Sequence, residues 1–264
     1  MSPPDTLVDL RRGDVLVLEQ RKGSVQVETW DRPLLSLEGE EGGGGIRVRR
    51  SGSRVEIRSE EGPDRATDLR IVMPRWGHLE ITGREMEVKV RGVEGDVVVR
   101  NLDGDVRLED VTGEVFVRSV EGTVEGEGLT GEVRIETGNG DIRLRGVSGR
   151  LELETVDGEV RLRDVASTRI SLETTDGDVD FLGRFLPGGH YSFVSHGGDM
   201  VFSIREPVDL DVSALVYDGD FRSDFPVRAR GFRSGEEVEF TIGGGGARVS
   251  LKTFDGDVTL RAVR

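Results

Sequence analysis

The stretch that decides the fold is Gly149-Arg150-Leu151-Glu152-Leu153-Glu154-Thr155-Val156-Asp157-Gly158-Glu159-Val160-Arg161-Leu162-Arg163. Its two repeat-forming glycines stand nine residues apart, and alternating charged and aliphatic side chains follow each. A period of two puts Leu151 and Leu153 on one side of a strand and Arg150, Glu152 and Glu154 on the other. Asp157-Gly158 supplies a corner, because glycine enters left-handed backbone at little cost. A helix is ruled out by the glycine and β-branched content.

The same interval continues outward through Gly95, Gly104, Gly113, Gly122, Gly131, Gly140, Gly149 and Gly158. A fixed internal period of this kind marks stacked repeats. With glycine as position 1, aliphatic residues fall at positions 3, 5 and 8, as in Val97, Val99 and Leu102, then Val106, Leu108 and Val111, then Val115, Val117 and Val120. All three positions are expected to face inward. One added residue near Ser167 shifts the frame, which resumes at Ile170 and Leu172 and at Gly177, Val179 and Phe181.

Two kinds of text precede the glycines in alternation. Glu136-Thr137-Gly138-Asn139, Glu154-Thr155-Val156-Asp157 and Glu173-Thr174-Thr175-Asp176 form one kind; Arg145-Gly146-Val147-Ser148 and Arg163-Asp164-Val165-Ala166 form the other. The alternation predicts an 18-residue coil of two strands, each paired in parallel with its equivalent one coil away. The expected fold is all-β: a single-stranded parallel β-helix (β-solenoid), right-handed as parallel crossovers favour, with irregular β caps. A single unit cannot bury its own apolar face, so stacking is obligatory. An antiparallel meander joined by Asp-Gly and Asn-Gly hairpins is the competing arrangement, and the constant spacing weighs against it.

One continuous domain is expected over residues 1–264, with an irregular N-terminal β region and cap (1–90), regular nonapeptides (91–182) and wider C-terminal coils (183–264). Strands are predicted at Leu7–Leu10, Val15–Leu18, Val25–Glu28, Ile46–Arg49, Val55–Arg58, Leu69–Val72, Leu79–Thr82 and Met86–Val90. Trp76 is expected to cap the open apolar end. Aromatics gather after Phe181, including Phe185, Tyr191, Phe193, Phe202 and Phe232, and call for a wider cross-section. Asp255–Leu260 reads as a late copy of the nonapeptide.

The net charge of −15, from 36 basic and 51 acidic residues, opposes nucleic acid as a partner. Cysteine is absent, which removes disulfides and thiolate metal sites. No stretch has the roughly 20 apolar residues needed to span a bilayer, and Met1–Leu10 lacks the apolar core of a signal peptide. The expected location is cytoplasmic, with export open should the sequence be part of a longer chain.

Candidate sites are weighed residue by residue. The Asp-Gly-Asp turns at Asp103–Asp105, Asp176–Asp178, Asp218–Asp220 and Asp255–Asp257 could attract calcium, but they lack the spacing of known calcium loops and read as turn chemistry. His78, His190 and His196 stand in no metal-ligand spacing. Ser192 and Ser195 lack a nucleophile-elbow context. The runs Gly42–Gly45 and Gly243–Gly246 precede strands and are not phosphate loops. No catalytic, cofactor-binding or metal residue is assigned, and neither a cofactor nor an enzymatic activity is expected.

The repeated units Thr155–Val160 and Thr174–Val179, the turn in Leu69–Pro74 followed by Gly77–Ile81, and the segments Asp218–Pro226 and Gly243–Leu260 resemble the bacterial DUF4097 family of adhesin-like β-strand repeat proteins. The resemblance covers most of residues 65–264 and implies a β-solenoid, at times exported or fused to membrane segments, with no catalytic residues to carry over. The expected function is a non-catalytic scaffold or protein-binding module. Its partner is an unidentified protein, or a second copy of the chain met through coil ends. An adhesin-like envelope protein is the alternative, and a carbohydrate-active β-helix enzyme is less favoured.

Overall fold

A computed structural model describes residues 6–39, 45–60, 66–226 and 235–263. Gly42–Gly44, Gly62-Pro63 and Phe232 lie outside the described residues. Strands and turns account for the described structure, and no helix among these residues is long and apolar enough to cross a membrane. The chain divides into two compact units, Met1–Glu132 and Val133–Arg264, with β14 (Thr130–Asn139) containing the boundary.

The first unit holds two sets of strands. One set runs β1 (Thr6–Asp9), β4 (Leu34–Gly39), β7 (Thr67–Pro74), β3 (Lys22–Trp30), β9 (Glu85–Arg91), β11 (Val106–Glu109) and β13 (Val124–Glu127). The other runs β12 (Thr112–Glu121), β10 (Val97–Arg100), β8 (His78–Thr82), β2 (Val15–Glu19), β6 (Arg54–Glu60) and β5 (Gly45–Ser51). In the second unit one set is β15 (Ile142–Arg145), β17 (Val160–Arg163), β19 (Val179–Gly183), β21 (Met200–Arg205), β26 (Val258–Val263) and β23 (Phe221–Ser223). Its companion is β16 (Ser148–Asp157), β18 (Ala166–Asp176), β20 (His190–Gly197), β25 (Ala247–Asp255), β22 (Leu210–Asp218) and β24 (Glu237–Ile242).

The all-β expectation holds, but the single-stranded parallel β-helix does not. The sheets are mixed: β1 with β4, β4 with β7, β5 with β6, and β22 with β24 are antiparallel. Strand order also departs from chain order. The pair β2 and β3 lies between β6 and β7 on one side and β8 and β9 on the other. Near the other terminus, β25 and β26 insert between β20 and β21 and the later-placed β22 and β23. A β-helix adds each coil to the last one made; here both ends of the chain return and wedge inward. The physical gain is that each inserted strand has both edges hydrogen-bonded.

Between the insertions the repeat is regular. Val97 pairs with Val115, Val106 with Val124 and Ile142 with Val160, all parallel and 18 residues apart. The added residue opposite Gly149/Arg150 is a bulge, so Leu151 pairs with Ile170. Beyond it the spacing grows, with Ile170 opposite Tyr191. Larger rings fill the space: Phe181, Phe193 and Phe202 are fully buried, with Phe193 and Phe202 edge-on at 4.8 Å. Phe185 stacks on Phe181 at 4.8 Å. The Tyr191 hydroxyl keeps a partner in this core by donating to the Ser167 carbonyl at 2.8 Å.

Positions 3 and 5 face inward as expected, but position 8 divides. Val111, Leu129, Val147 and Val165 are buried, whereas Leu102, Val120 and Val156 are 43, 43 and 54% exposed. Leu102 lies beyond the end of β10, and Val120 and Val156 are the last residue but one of β12 and β16; in each case the inward place is taken one residue earlier, by Asn101, Ser119 or Thr155. These polar groups serve the corner. Ser119 Oγ donates to the Glu121 carbonyl at 2.9 Å and Ser195 Oγ to the Gly197 carbonyl at 2.6 Å. Asn101 Nδ2 donates to the carbonyls of Met86 and Asp103, each at 2.7 Å. The threonine in the Glu-Thr-x-Asp text is therefore a buried corner residue. Trp76 does not cap an end: it lies in the turn between β7 and β8, under the Arg12 guanidinium at 5.5 Å.

The nine-residue glycine spacing has a steric cause. A Cβ built on Gly158 would stand 2.5 Å from the Gly140 carbonyl oxygen, and one on Gly198 2.6 Å from that of Gly177. The clashing atom is backbone and cannot swing aside, and φ at Gly158 is +132°. Gly188 is a control, with φ of +72° but open space around it. Gly188→Ala is expected to cost about 1–2 kcal/mol, for left-handed backbone alone. Gly158→Ala should lose clearly more in urea denaturation; equal losses would contradict the steric assignment.

A second check lies at Asp14, whose Oδ2 accepts the Arg11 N–H and an Arg50 guanidinium N–H, each at 2.8 Å. Burial pushes this carboxyl up, but the hydrogen bonds from Arg11 and Arg50 win and hold it below its ordinary 3.8. A depressed folded value stabilises above the unfolded value and loses that contribution as pH falls through the folded one. Asp14→Asn should therefore be less stable than the parent at pH 7, and the gap should narrow below pH 3.8; a pH-independent gap in denaturant titrations would contradict this.

Candidate functional site

The outward face of β16, β18, β20, β25, β22 and β24 carries a groove. Strand alternation turns Leu151, Ile170, Tyr191, Val249, Val212 and Phe240 into the core. Their neighbours form columns across the strands. One column reads Arg150, Arg169, His190, Arg248, Asp211 and Thr241. The next reads Glu152, Ser171, Ser192, Ser250, Ser213 and Glu239. Short serine side chains beside long arginines leave a trench, and the resulting groove measures about 850 Å³.

At its two ends the groove is already satisfied. Arg134 donates to Glu152 at 2.9 Å, and Arg150 stands 4.0 Å from the same carboxylate. Asp211 accepts from the Thr241 hydroxyl at 3.0 Å and from the Gly246 N–H at 3.2 Å, and Ser213 Oγ donates to Glu237 at 2.5 Å. The middle differs. Among the described residues, the side chains of Arg169, His190 and Arg248 make no hydrogen bond or ion pair, and neither do the hydroxyls of Ser171, Ser192 and Ser250. Other arginines show the contrast: Arg107 donates to Glu109 at 2.6 Å, which raises the arginine and lowers the carboxyl. Arg163 likewise pairs with Asp180.

The other residues singled out by sequence lie in structural roles. In three of the Asp-Gly-Asp turns the second aspartate (Asp105, Asp178 and Asp257) accepts a backbone N–H from the adjoining repeat, as Asp141 does, while Asp220 accepts from Arg222. Asp141 takes Glu159 N–H at 2.9 Å, Asp178 takes Asp199 N–H at 2.8 Å, and Asp257 takes Asp220 N–H at 2.8 Å. That bond, then Arg222, holds Asp257 below the usual carboxylate range. The run Gly243–Gly246 wraps two aspartates, with Gly244 N–H on Asp209 at 2.6 Å and Gly246 N–H on Asp211. His78 Nδ1 accepts the Asp96 N–H at 3.2 Å. His196 stacks on Phe254 at 5.1 Å, and Ser195 is buried. Among the described residues, no group of three or more His, Cys, Asp or Glu could hold a metal ion.

His190 and Ser192 were visible as candidates but not as members of one surface. Their partners Arg248 and Ser250 come from a segment that inserts out of chain order, and no linear spacing reports that.

A family model described as Toastrack DUF4097 matches residues 14–261. A crystal structure from Clostridium sporogenes ATCC 15579, described as a "putative cell adhesion protein", aligns over 99% of this chain and 100% of its own at 8% identity. Its TM-score is 0.22, so the likeness bears on neither fold nor function. No curated protein matches the sequence.

Unpaired outward groups contribute little to folding, so Arg248→Gln and Ser192→Ala should each stay within about 0.5 kcal/mol of the parent in urea titrations. A loss well above that for either would show that the groove is a structural element.

Proposed function

Since this chain belongs to the DUF4097 family, with the resemblance to adhesin-like repeat proteins that its repeats carry, we propose that it is a non-catalytic binding protein acting at the cell envelope. One observation carries this: three cationic or ionisable side chains and three hydroxyls face a groove without protein partners. Leaving such groups unpaired gains nothing for the fold, and it preserves their hydrogen-bonding capacity for a ligand. A strand wall also suits recognition more than turnover. It fixes side chains at regular intervals along the groove.

The test is saturable binding of the labelled chain to isolated cell envelopes, compared with the Arg169→Gln/Arg248→Gln variant. Binding that the variant loses is the expected result. No saturable binding, exclusive recovery of the native protein in the cytosolic fraction, or polysaccharide turnover by the purified chain would each contradict the proposal. Self-association through end strands is a separate proposal, and a concentration-independent monomer in sedimentation would remove it.

A further inference from the structure

We infer that the groove on β16, β18, β20, β25, β22 and β24 takes an acidic polysaccharide, a uronate-bearing glycan segment laid across the strands. The inference rests on the binding reading above and deepens it by naming the ligand chemistry.

Three features of the groove select this class. First, Arg169 and Arg248 are unpaired and stand two strands apart with His190 between them. At about 4.8 Å per strand they are separated by roughly 10 Å. Guanidinium groups spaced in this way suit carboxylates repeated along an extended chain, and their planar fork matches a carboxylate.

Second, the adjoining column offers Ser171, Ser192 and Ser250, whose hydroxyls can both donate and accept. Third, Asp211 and Glu239 lie at one end of the same groove. Both carboxylates repel a uniformly anionic ligand, and Glu239, unlike the already bonded Asp211, keeps its oxygens for neutral hydroxyls. A ligand with spaced carboxylates and many hydroxyls satisfies all three; a polyphosphate can take the arginine and serine donors but is repelled at the carboxylates. The net charge of −15 works in the same direction, because it penalises ligands of dense negative charge more than those of sparse charge.

Calorimetry with the full chain tests the inference. The probes are oligogalacturonate, oligomannuronate and oligoglucuronate, with the carboxyl-reduced form of each as its neutral twin and poly-glutamate as a carboxylate without sugar hydroxyls. At least one oligouronate should bind saturably. Its reduced twin and poly-glutamate should each bind at least tenfold more weakly, and the Arg169→Gln/Arg248→Gln variant should lose at least tenfold. The variant's unchanged urea midpoint would show that the loss is not unfolding.

The inference is overturned if no oligouronate binds, if the reduced twin or poly-glutamate binds as well, or if the variant binds like the parent. The two proposals fail separately. If envelope binding depends on the arginines but no oligouronate competes for it, the glycan assignment falls and the binding reading stands. If envelope binding ignores the arginines, the groove loses its role in both.

Discussion

Backbone meets backbone at the corners, and much of the structure depends on that contact. At Gly122 and Gly158 the space where a Cβ would sit is taken by the carbonyl oxygen of Gly104 and Gly140, at 2.6 and 2.5 Å. A corner this tight admits no side chain. It holds neighbouring strands to one register, and because side chains alternate with period two, register decides which face is buried. The next residue reinforces it. An aspartate such as Asp141 reaches across to the Glu159 N–H, so both the glycine and the acid of the turn are spent on joining repeats. Much of the acidic character at the turns therefore has a structural explanation.

The corners also explain where sequence reasoning succeeded. The glycine interval, the inward Leu151 and Leu153, the bulge near Ser167 and the 18-residue parallel pairing are local consequences of the corner, and all are readable along the chain. Three features were not readable. The strand Leu34–Gly39 has a short alternating pattern and no corner glycine of the nine-residue series. Val156 looks like core by composition, but Thr155 takes the inward place, its hydroxyl donating to the Asp157 carbonyl at 3.3 Å. The insertion of β2 and β3, and of β25 and β26, depends on which edges lie open after the rest has paired, a property of the assembled sheets. Asp255–Leu260 reads as a late copy of the nonapeptide, but its place between Gly198 and Gly219 is set by the insertion and not by chain order.

The groove follows from that last point. Its cationic column joins Arg150, Arg169, His190 and Arg248, whose separations along the chain are unequal and whose last member arrives by insertion. Two residues weighed individually, His190 and Ser192, were the only visible part of it. Family membership accounts for the repeat and its corners; it names no ligand. The functional content lies instead in side chains that the repeat does not use.

The measurement that tests the central claim most directly is the pattern of inter-strand proton contacts by NMR in residues 133–264. Parallel pairing at the corners requires contacts between the Ile142 amide and Glu159, whose carbonyl accepts it at 2.9 Å, and between Val160 and Asp178. Those contacts between residues 17 or 18 apart are the expected result. Hairpin contacts folding Ile142–Arg145 back onto Leu151–Glu154 about Ser148 would contradict the account, because the corner glycines would then have no neighbouring carbonyl to avoid.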